Sequence, residues 1–381
     1  MKIMISVGEA SGDLHGARLA AALKQLQPDI TLLGMGGQAM RAAGVELVYD
    51  IADLGVMGIV EVIKNLRRLF VLRDELVCVM KREQPDALVV IDYPGFNMRL
   101  AKKARELGIP IISYISPSAW AWGKGRAKET AEIVDRVAAI FPFEAKVYEE
   151  AGAKVTFVGH PLLDIVKSSM SKAAAYELFG TDPNHPVVLL MPGSRVQEID
   201  KLLPDILQAA ELIAKQLPSC QFYLPIASTI ARDRIQGQLA KRSVSVTLTQ
   251  ENTYDLMNIS NLAIAASGTA TLETSLMKVP TVIIYRVNAL TYWIGKRLVK
   301  IPHIGLPNIV AGRQVVPELL QADVTPQRIA AESLDILLNP NRLQQLQLDL
   351  AEVQSKLGES GAVAKAAAVI LEVASQSGGI Q

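Results

Sequence analysis

The chain has 381 residues, of which half are hydrophobic and a fifth are charged, with 39 Lys and Arg against 38 Asp and Glu. This composition excludes a disordered chain, and the length exceeds what one ordinary hydrophobic core needs. A formal net charge of +1 gives no basis for a nucleic acid partner, because nucleic-acid-binding domains usually carry a clustered excess of positive charge. We therefore expect two folded domains and no nucleic acid partner.

The amino terminus enters strand-like sequence at Lys2–Val7 without an apolar signal region, and no apolar run is long enough to span a bilayer. The two cysteines, Cys78 and Cys220, lie far apart in apolar segments. There a buried thiol is preferred over a disulfide or a metal ligand. These features predict a cytoplasmic protein.

The first predicted unit is a strand at Ile3–Val7, a glycine-rich turn at Gly8–Gly16 and a helix. This is the opening of a Rossmann-like domain. Glycines recur every four residues, so the Gly-x-Gly-x-x-Gly spacing typical of nicotinamide or flavin binding is absent. Asp13 and His15 fall on this turn, where they either face a cleft as candidate catalytic groups or cap the helix.

A helical pattern over Leu54–Leu72 carries more apolar surface than one core-facing stripe requires, and basic residues are interleaved with it. One interpretation is a face that dips into an anionic membrane surface; the other is a helix buried on both sides. A later segment, Tyr285–Asn308, also mixes aromatic and basic residues, as at a phospholipid interface or in an ordinary amphipathic helix. The residues expected at a membrane or acyl-chain contact are Ile63, Leu66, Leu69, Phe70, Leu72 and Trp293.

Asp92 directly follows the predicted strand Ala87–Ile91. Strands alternating with helices predict a parallel sheet, whose strand carboxyl ends carry the ligand-facing loops. Asp92 is therefore our candidate for a general base, with Asp13 and His15 as rivals. The alternative is that Asp92 only caps the Tyr93–Gly95 turn.

In the second half, two buried strands each run into a glycine turn and a helix. Val187–Met191 precedes Gly193, Ser194 and Arg195, and Leu262–Ala266 precedes Ser267, Gly268 and Thr269. Backbone N–H groups at such turns, the hydroxyls and the guanidinium favour a diphosphate.

Two further polar residues belong to the second turn. Thr271 offers another hydroxyl, and Glu273 lies about one turn into the helix that follows, where a carboxylate can accept hydrogen bonds from the vicinal hydroxyls of a ribose. A plain helix cap is the alternative function for this hydroxyl cluster.

The predicted fold class is α/β, with two Rossmann-like, doubly wound parallel-sheet domains facing across a cleft. We expect an acceptor-binding, membrane-facing domain at residues 1–170 and a nucleotide-sugar-binding domain at 171–343. The helices at 344–381 are expected to cross back to the first domain or to a partner subunit.

The absence of several sequence motifs reduces the number of reactions that the protein can be expected to catalyse. The chain has no Asp-x-Asp, His-Glu-x-x-His, Cys-x-x-Cys or P-loop signature. A transferase with a nucleotide leaving group, without metal or other cofactor, remains, as does a protein that binds or epimerises a UDP-sugar.

Taken together, the motifs resemble the lipid-A-disaccharide synthase family of GT-B glycosyltransferases over nearly the whole chain. The segments that carry the resemblance are Gly8–Asp13, Val56–Val62, Ile91–Asp92, Ser116–Trp122, Pro192–Arg195, Ser267–Thr269 and Leu306–Asn308. One departure is Gly95, where such proteins often carry a second acid.

The resemblance implies transfer from UDP-2,3-diacylglucosamine to 2,3-diacylglucosamine 1-phosphate (lipid X), with inversion at the anomeric carbon and release of UDP. Of the two remaining classes, only such a transferase explains the surplus apolar surface at Leu54–Leu72, because an acylated acceptor must be taken from a bilayer. It also implies a homodimer that exchanges carboxyl-terminal elements, and a peripheral place on the cytoplasmic face of the inner membrane in Gram-negative bacteria. Asn308 and Glu318 resemble family positions near the nucleotide.

Overall fold

The computed structural model describes residues 1–54, 66–116, 124–227, 229–287 and 302–377. Its contacts divide the chain into two units, one formed by Met1–Pro161 with Gly358–Gln381 and the other by Leu162–Leu357. Of the predicted membrane-contact residues, Ile63 and Trp293 lie outside the described residues, as does the side chain of Leu66. Within the described parts, no helix is both long and apolar enough to cross a membrane.

The first unit contains a seven-stranded parallel sheet in the order β3-β2-β1-β4-β5-β6-β7. Its strands are β1 (Lys2–Ser6), β2 (Thr31–Gly36), β3 (Glu46–Asp50), β4 (Ala87–Ile91), β5 (Ile111–Tyr114), β6 (Arg136–Ala139) and β7 (Val155–Phe157). Its helices are α1 (Ala10–Leu26), α2 (Gln38–Ala42), α3 (Leu66–Glu83), α4 (Pro94–Glu106), α5 (Lys124–Ile133) and α6 (Pro142–Glu150), with a 3-10 turn at Ile51–Leu54.

The second unit contains a six-stranded parallel sheet in the order β10-β9-β8-β11-β12-β13. The strands are β8 (Val187–Met191), β9 (Gln221–Pro225), β10 (Val246–Thr249), β11 (Leu262–Ala266), β12 (Thr281–Tyr285) and β13 (Glu318–Leu320). The helices up to Leu276 are α7 (Leu162–Ile165), α8 (Lys172–Phe179), α9 (Val196–Gln216), α10 (Arg232–Leu239), α11 (Thr253–Asn258) and α12 (Thr269–Leu276). After them come α13 (Leu306–Ala311), a 3-10 turn at Gln321–Asp323, α14 (Pro326–Leu338) and α15 (Pro340–Lys356).

Two parallel sheets flanked by helices confirm the predicted fold class. The central strands β4 and β11 are buried along their whole length, as expected for parallel sheets covered on both faces. The carboxyl ends of all strands in such a sheet lie at one edge, so the loops that follow them are neighbours.

The unit boundaries differ from the predicted ones at both ends of the second domain. The polar stretch predicted as a linker is part of the second unit, because the Asp255 carboxylate accepts hydrogen bonds from the Ser168 hydroxyl and from the backbone N–H groups of Ser169 and Met170. At the other end, α15 stays with the second unit. The last helix, α16 (Ala362–Ser377), packs against α1 of the first.

Helix α3 corrects part of the membrane prediction. Leu69 and Leu72 are only 8% and 2% exposed and belong to the core of the first unit, so these two residues are core rather than membrane contacts. Phe70 and Val71, between them, are 40% and 52% exposed. Cys78 on the same helix is also exposed, against the buried thiol that its apolar neighbours predicted.

Candidate functional site

A pocket of about 410 Å³ in the second unit brings the two predicted glycine turns together. The turns follow β8 and β11, which are adjacent parallel strands. Both turns therefore open at the same edge of the sheet. The predicted donor-binding residues that line the pocket are Gly193, Ser194, Arg195, Ser267, Gly268, Thr269 and Glu273.

The turn after β11 leads directly into α12, with Gly268 as the residue that precedes the helix. The start of a helix carries partial positive charge, which favours an anion in the pocket. The Ser267 hydroxyl donates to the Ile304 carbonyl at 3.0 Å, which ties the turn to a neighbouring loop. Thr271 is fully buried, and its hydroxyl donates to the Gly268 carbonyl at 2.8 Å. Thr271 therefore stabilises the turn from the protein interior. Because its side chain has no exposed surface, its predicted contact with the ligand is wrong.

The turn after β8 is held by Glu198, a residue that the sequence analysis did not select. Its Oε2 accepts from the backbone N–H groups of Ser194 at 3.1 Å and Arg195 at 3.3 Å, and its Oε1 accepts from the Arg195 guanidinium at 3.0 Å. Gly193 has a φ of +115°, and a Cβ there would lie 2.3 Å from Oε2, so only glycine fits. The available signal was a Glu three residues after the residue preceding a helix, the pattern of a capping box.

Glu273 is half-buried on the pocket wall. Burial raises the pKa of its carboxyl above the ordinary value, and a hydrogen bond donated by the Tyr254 hydroxyl at 3.0 Å opposes this rise. A carboxylate in this place, with one tyrosine partner, retains acceptor capacity for a sugar diol.

Asn308 and Glu318 are not among the described residues that line the pocket, and their predicted place near the nucleotide stays a prediction. Asn308 is fully buried. Its Nδ2 donates to the Val316 carbonyl and to Glu318, and its Oδ1 accepts from the backbone N–H groups of Val315 and Val316. These four bonds use the whole hydrogen-bonding capacity of an amide, so none remains for a ligand.

Glu318 in turn holds the loop that contacts Ser267. Its carboxylate accepts from the backbone N–H groups of Ile304 at 3.1 Å and Gly305 at 3.0 Å. The Ile304 carbonyl is the acceptor for the Ser267 hydroxyl. Asn308 and Glu318 are therefore positioning residues that act on the pocket through this loop.

In the first unit, Asp92 follows β4 in a loop with unusual backbone geometry. Asp92 and Tyr93 have φ values of +47° and +50°, a left-handed conformation that costs energy in residues other than glycine. Asn97, which is buried, stabilises it: its Nδ2 donates to the Asp92 carbonyl at 2.8 Å, and its Oδ1 accepts from the Ser6 hydroxyl at 2.7 Å. A Cβ at Gly8 would lie 2.1 Å from the Tyr93 ring, so this glycine leaves room for the loop.

The Asp92 carboxyl is accessible to solvent, yet it is not in a water-like environment. Surrounding protein atoms remove part of its hydration and raise its pKa above the ordinary value. The negative charge of Glu9 raises the pKa further, against a hydrogen bond from the Tyr93 backbone N–H. A raised pKa makes a carboxylate a stronger base.

Asp13 is a helix cap, and its candidacy as a base is not supported by its contacts. Helix α1 already begins at Ala10, so Asp13 lies within its first turn rather than on a long glycine loop. Its carboxylate accepts from the backbone N–H groups of Gly37 at 2.7 Å, Ala39 at 2.9 Å and Met40 at 3.0 Å, at the start of α2. Three such bonds stabilise the charged form and weaken its basicity.

His15 lies two residues further along α1, close enough to His160 for the two imidazoles to disfavour each other's charged forms. The sequence did not single out His160. Burial lowers the pKa of His15 to about 4, with Arg18 adding to the effect. Burial also lowers the pKa of His160 to about 3, helped by His15. Both imidazoles are therefore neutral at pH 7. His15 Nδ1 is buried without a hydrogen-bond partner among the described residues.

The described residues contain no group of three or more His, Cys, Asp or Glu side chains arranged to hold a metal ion.

Known proteins match this chain over almost its full length. The lipid-A-disaccharide synthetase family matches residues 3–373. Lipid-A-disaccharide synthase of Geobacter sulfurreducens is 46% identical over 376 residues, covering 98% of this chain and 97% of the relative. The enzyme of that name from Syntrophus aciditrophicus is 44% identical, with 98% of each chain covered. The chain belongs to the lipid-A-disaccharide synthase family. Its members form the lipid A disaccharide, and the chain is accordingly a hexosyltransferase, as the motifs predicted.

Solved structures with a similar fold support the architecture alone. UDP-GlcNAc 2-epimerase from Neisseria meningitidis bound to UDP-GlcNAc is similar with a TM-score of 0.66 at 16% identity, covering 99% of this chain and all of that one. MurG from Acinetobacter baumannii is similar with a TM-score of 0.60 at 18% identity, covering 97% and 99%. At these identities the shared property of the lipid-A-disaccharide synthase family and these proteins is the two-domain α/β fold.

Proposed function

We propose that the protein transfers the diacylglucosamine unit of UDP-2,3-diacylglucosamine to a hydroxyl of lipid X, with inversion, without a metal ion and with release of UDP. Family membership supports the reaction class. The single observation that supports the donor is the pocket shared by the turns at Gly193–Arg195 and Ser267–Thr269.

The donor diphosphate binds between these two turns. Helix starts, backbone N–H groups and the Arg195 guanidinium stabilise the negative charge that grows on the diphosphate as the bond to the sugar breaks. They take the part that a divalent cation plays in other transferases. Glu273 accepts hydrogen bonds from the ribose hydroxyls, which fixes the nucleoside end.

Asp92 is the base in this proposal. It removes the proton from the attacking hydroxyl of lipid X while that oxygen bonds to the anomeric carbon and the diphosphate leaves with the bonding electrons. Attack opposite the leaving group inverts the anomeric centre. His15 remains the second candidate, although its lowered pKa makes it a weaker base than an ordinary imidazole.

The acylated substrates require contact with a bilayer, and we propose that the protein binds peripherally to the anionic cytoplasmic face of the inner membrane. The support is the exposed pair Phe70 and Val71 on α3, beside Arg73. Aromatic and aliphatic side chains with neighbouring cations are typical of such contacts. We also propose a homodimer, for which the family resemblance is the support.

The test of the reaction is UDP release. Purified protein is incubated in neutral detergent with UDP-2,3-diacylglucosamine and lipid X, with EDTA present, and free UDP is measured. We expect UDP release that requires both substrates and persists with EDTA. Release from UDP-N-acetylglucosamine alone would contradict the proposal and favour an epimerase-like or hydrolytic activity.

A further inference from the structure

A crevice on the first unit lies immediately after the Asp92 loop and is separate from the donor pocket. Helices α3 and α4 form it together. Its lining consists of Leu69, Phe70, Arg73, Gly95, Phe96 and Arg99. The crevice thus combines three apolar side chains, two guanidinium groups and an open stretch of backbone.

Two positive charges converge on one aromatic ring in this crevice. The guanidinium carbons of Arg73 and Arg99 lie 5.1 Å and 5.5 Å from the centre of the Phe70 ring. Arg73 pairs with Asp74, whose side chain is largely exposed. Arg99 makes no hydrogen bond or ion pair with any residue that the structure describes, and its guanidinium lies over the Phe70 ring. Among the residues that the structure describes, Arg99 therefore brings a positive charge to the crevice without an anionic partner, whereas Asp74 partly neutralises the charge of Arg73.

The backbone of α4 adds to this preference for an anion. Gly95 lies in the first turn of this 13-residue helix, and no heavy atom lies within 4 Å of a Cβ built there. The positive end of the helix dipole is therefore open to a ligand beside Arg99. Gly95 is also three residues from Asp92, so a group bound here is within the reach of one sugar ring from the proposed base.

We propose that this crevice binds the phosphate of the acceptor, a phosphomonoester on an acylated sugar. The assignment rests on the proposed function, since it places the acceptor next to Asp92. A guanidinium group can donate two parallel hydrogen bonds to two oxygens of one phosphate. Leu69, Phe70 and Phe96 offer apolar contact to the lipid part of the same molecule. The free space in the crevice is only about 10 Å³, so in this proposal the phosphate contacts the guanidinium groups at the mouth of the crevice and the lipid part lies against the apolar side chains there.

The experiment compares lipid X with its dephosphorylated form, 2,3-diacylglucosamine, in neutral-detergent micelles. The variants are Arg99→Gln, Arg99→Lys and, as a matched control on α3, Arg82→Gln, whose side chain is exposed and paired with Glu83. Equilibrium binding of each acceptor is measured first, followed by kcat and KM at saturating donor. Circular dichroism and UDP affinity report on folding and on the donor pocket.

The wild type is expected to prefer the phosphorylated acceptor. Arg99→Gln should reduce that preference by about ten- to fifty-fold through KM and binding, because one charge-assisted pair is lost. Arg99→Lys should recover part of it, while Arg82→Gln should keep all of it and the UDP affinity should stay unchanged in every variant.

Three results would overturn the assignment. One is an undiminished preference in Arg99→Gln; another is an equal loss for both acceptors. The third is weaker sedimentation of Arg99→Gln with anionic phospholipid vesicles while the acceptor preference stays intact, which would assign the crevice to bilayer headgroups. A wild type that binds lipid X through Arg99 but releases no UDP would count against the proposed reaction and leave this binding site standing.

Discussion

At the scale of single residues, Glu198 already occupies hydrogen-bond donors of the donor pocket. Its carboxylate occupies the backbone N–H groups of Ser194 and Arg195 and the Arg195 guanidinium, which are the donors that a diphosphate needs. The protein therefore supplies its own anion to this turn. A diphosphate that takes over these donors has to displace a carboxylate and overcome its repulsion.

We predict that Glu198→Gln binds UDP more tightly than the wild type, by about five- to tenfold, or roughly 1 kcal/mol. Gln keeps the shape and the capping of the helix start but lacks the charge. Arg195→Ala is the comparison variant and should weaken UDP binding by about 2 to 4 kcal/mol. Calorimetry with UDP measures both. Weaker binding by Glu198→Gln in a folded protein would show that Glu198 orients the turn for the ligand instead of competing with it.

Glu144, at the start of α6, is another buried acid whose charge has a cost. Burial raises its pKa to about 8 from an ordinary value of 4.5, although the backbone N–H groups of Ile140 and Phe141 oppose the rise. Between these two values the folded state holds a proton that the unfolded state releases. The free energy of unfolding therefore falls as the pH rises through this range.

We predict that Glu144→Gln becomes more stable than the wild type as the pH rises. The two proteins should unfold at similar denaturant concentrations near pH 5, and the variant should gain a clear advantage by pH 9, since Gln stays neutral. Denaturation midpoints at both pH values measure this, and His15 and His160 are common to both proteins. A difference that does not change with pH would mean that Glu144 titrates normally in the fold.

The sequence predicted which residues lie together at the donor pocket where their position depends on local structure. A glycine turn between a buried strand and a helix presents its hydroxyls and N–H groups wherever the fold occurs, which is why Gly193, Ser194 and Ser267 to Thr269 line one pocket. The role of Asp13 was not predictable in this way, because its hydrogen-bond partners are 24 to 27 residues away, at the start of α2. The inward orientation of Thr271 was not predictable for a related reason: a polar side chain near a turn can face a ligand or the turn itself, and sequence spacing does not distinguish the two.

At the scale of elements, α3 separates a buried face from an exposed one. Leu69, Leu72 and Leu76 recur at helical spacing and pack into the core of the first unit. Phe70 and Val71 lie between them on the outside. The sequence showed an apolar surplus without showing which residues formed it, because adjacent positions on a helix differ by about 100° in direction.

We predict different outcomes for two pairs of substitutions on α3. Phe70→Ser with Val71→Ser should leave the thermal stability nearly unchanged and reduce sedimentation with anionic vesicles. Leu69→Ser with Leu72→Ser should destabilise the first unit by several kcal/mol, at roughly 2 to 5 for each large core side chain removed. Melting temperatures and vesicle sedimentation measure the two effects. Unchanged sedimentation of the Phe70 and Val71 variant would remove this face from the membrane contact.

At the scale of the whole molecule, alternating strands and helices were enough to predict two parallel-sheet domains, because both faces of such sheets must be covered. The domain boundaries were not predictable in the same way. The stretch before Lys172 looks like a linker by composition, yet Asp255 binds it to the second unit. The helical tail reads as one segment, yet α15 and α16 belong to different units.

We propose that one unit holds the donor and the other supplies the base. Asp92→Asn addresses it directly, because Asn preserves the size and capping ability of the side chain but cannot accept the proton. Turnover is measured by UDP release with both substrates, together with UDP affinity and thermal stability. We expect turnover to fall by about a hundred- to ten-thousand-fold while UDP affinity and stability stay close to those of the wild type. Turnover near the wild-type value in this variant would contradict the account and make His15 the next residue to test.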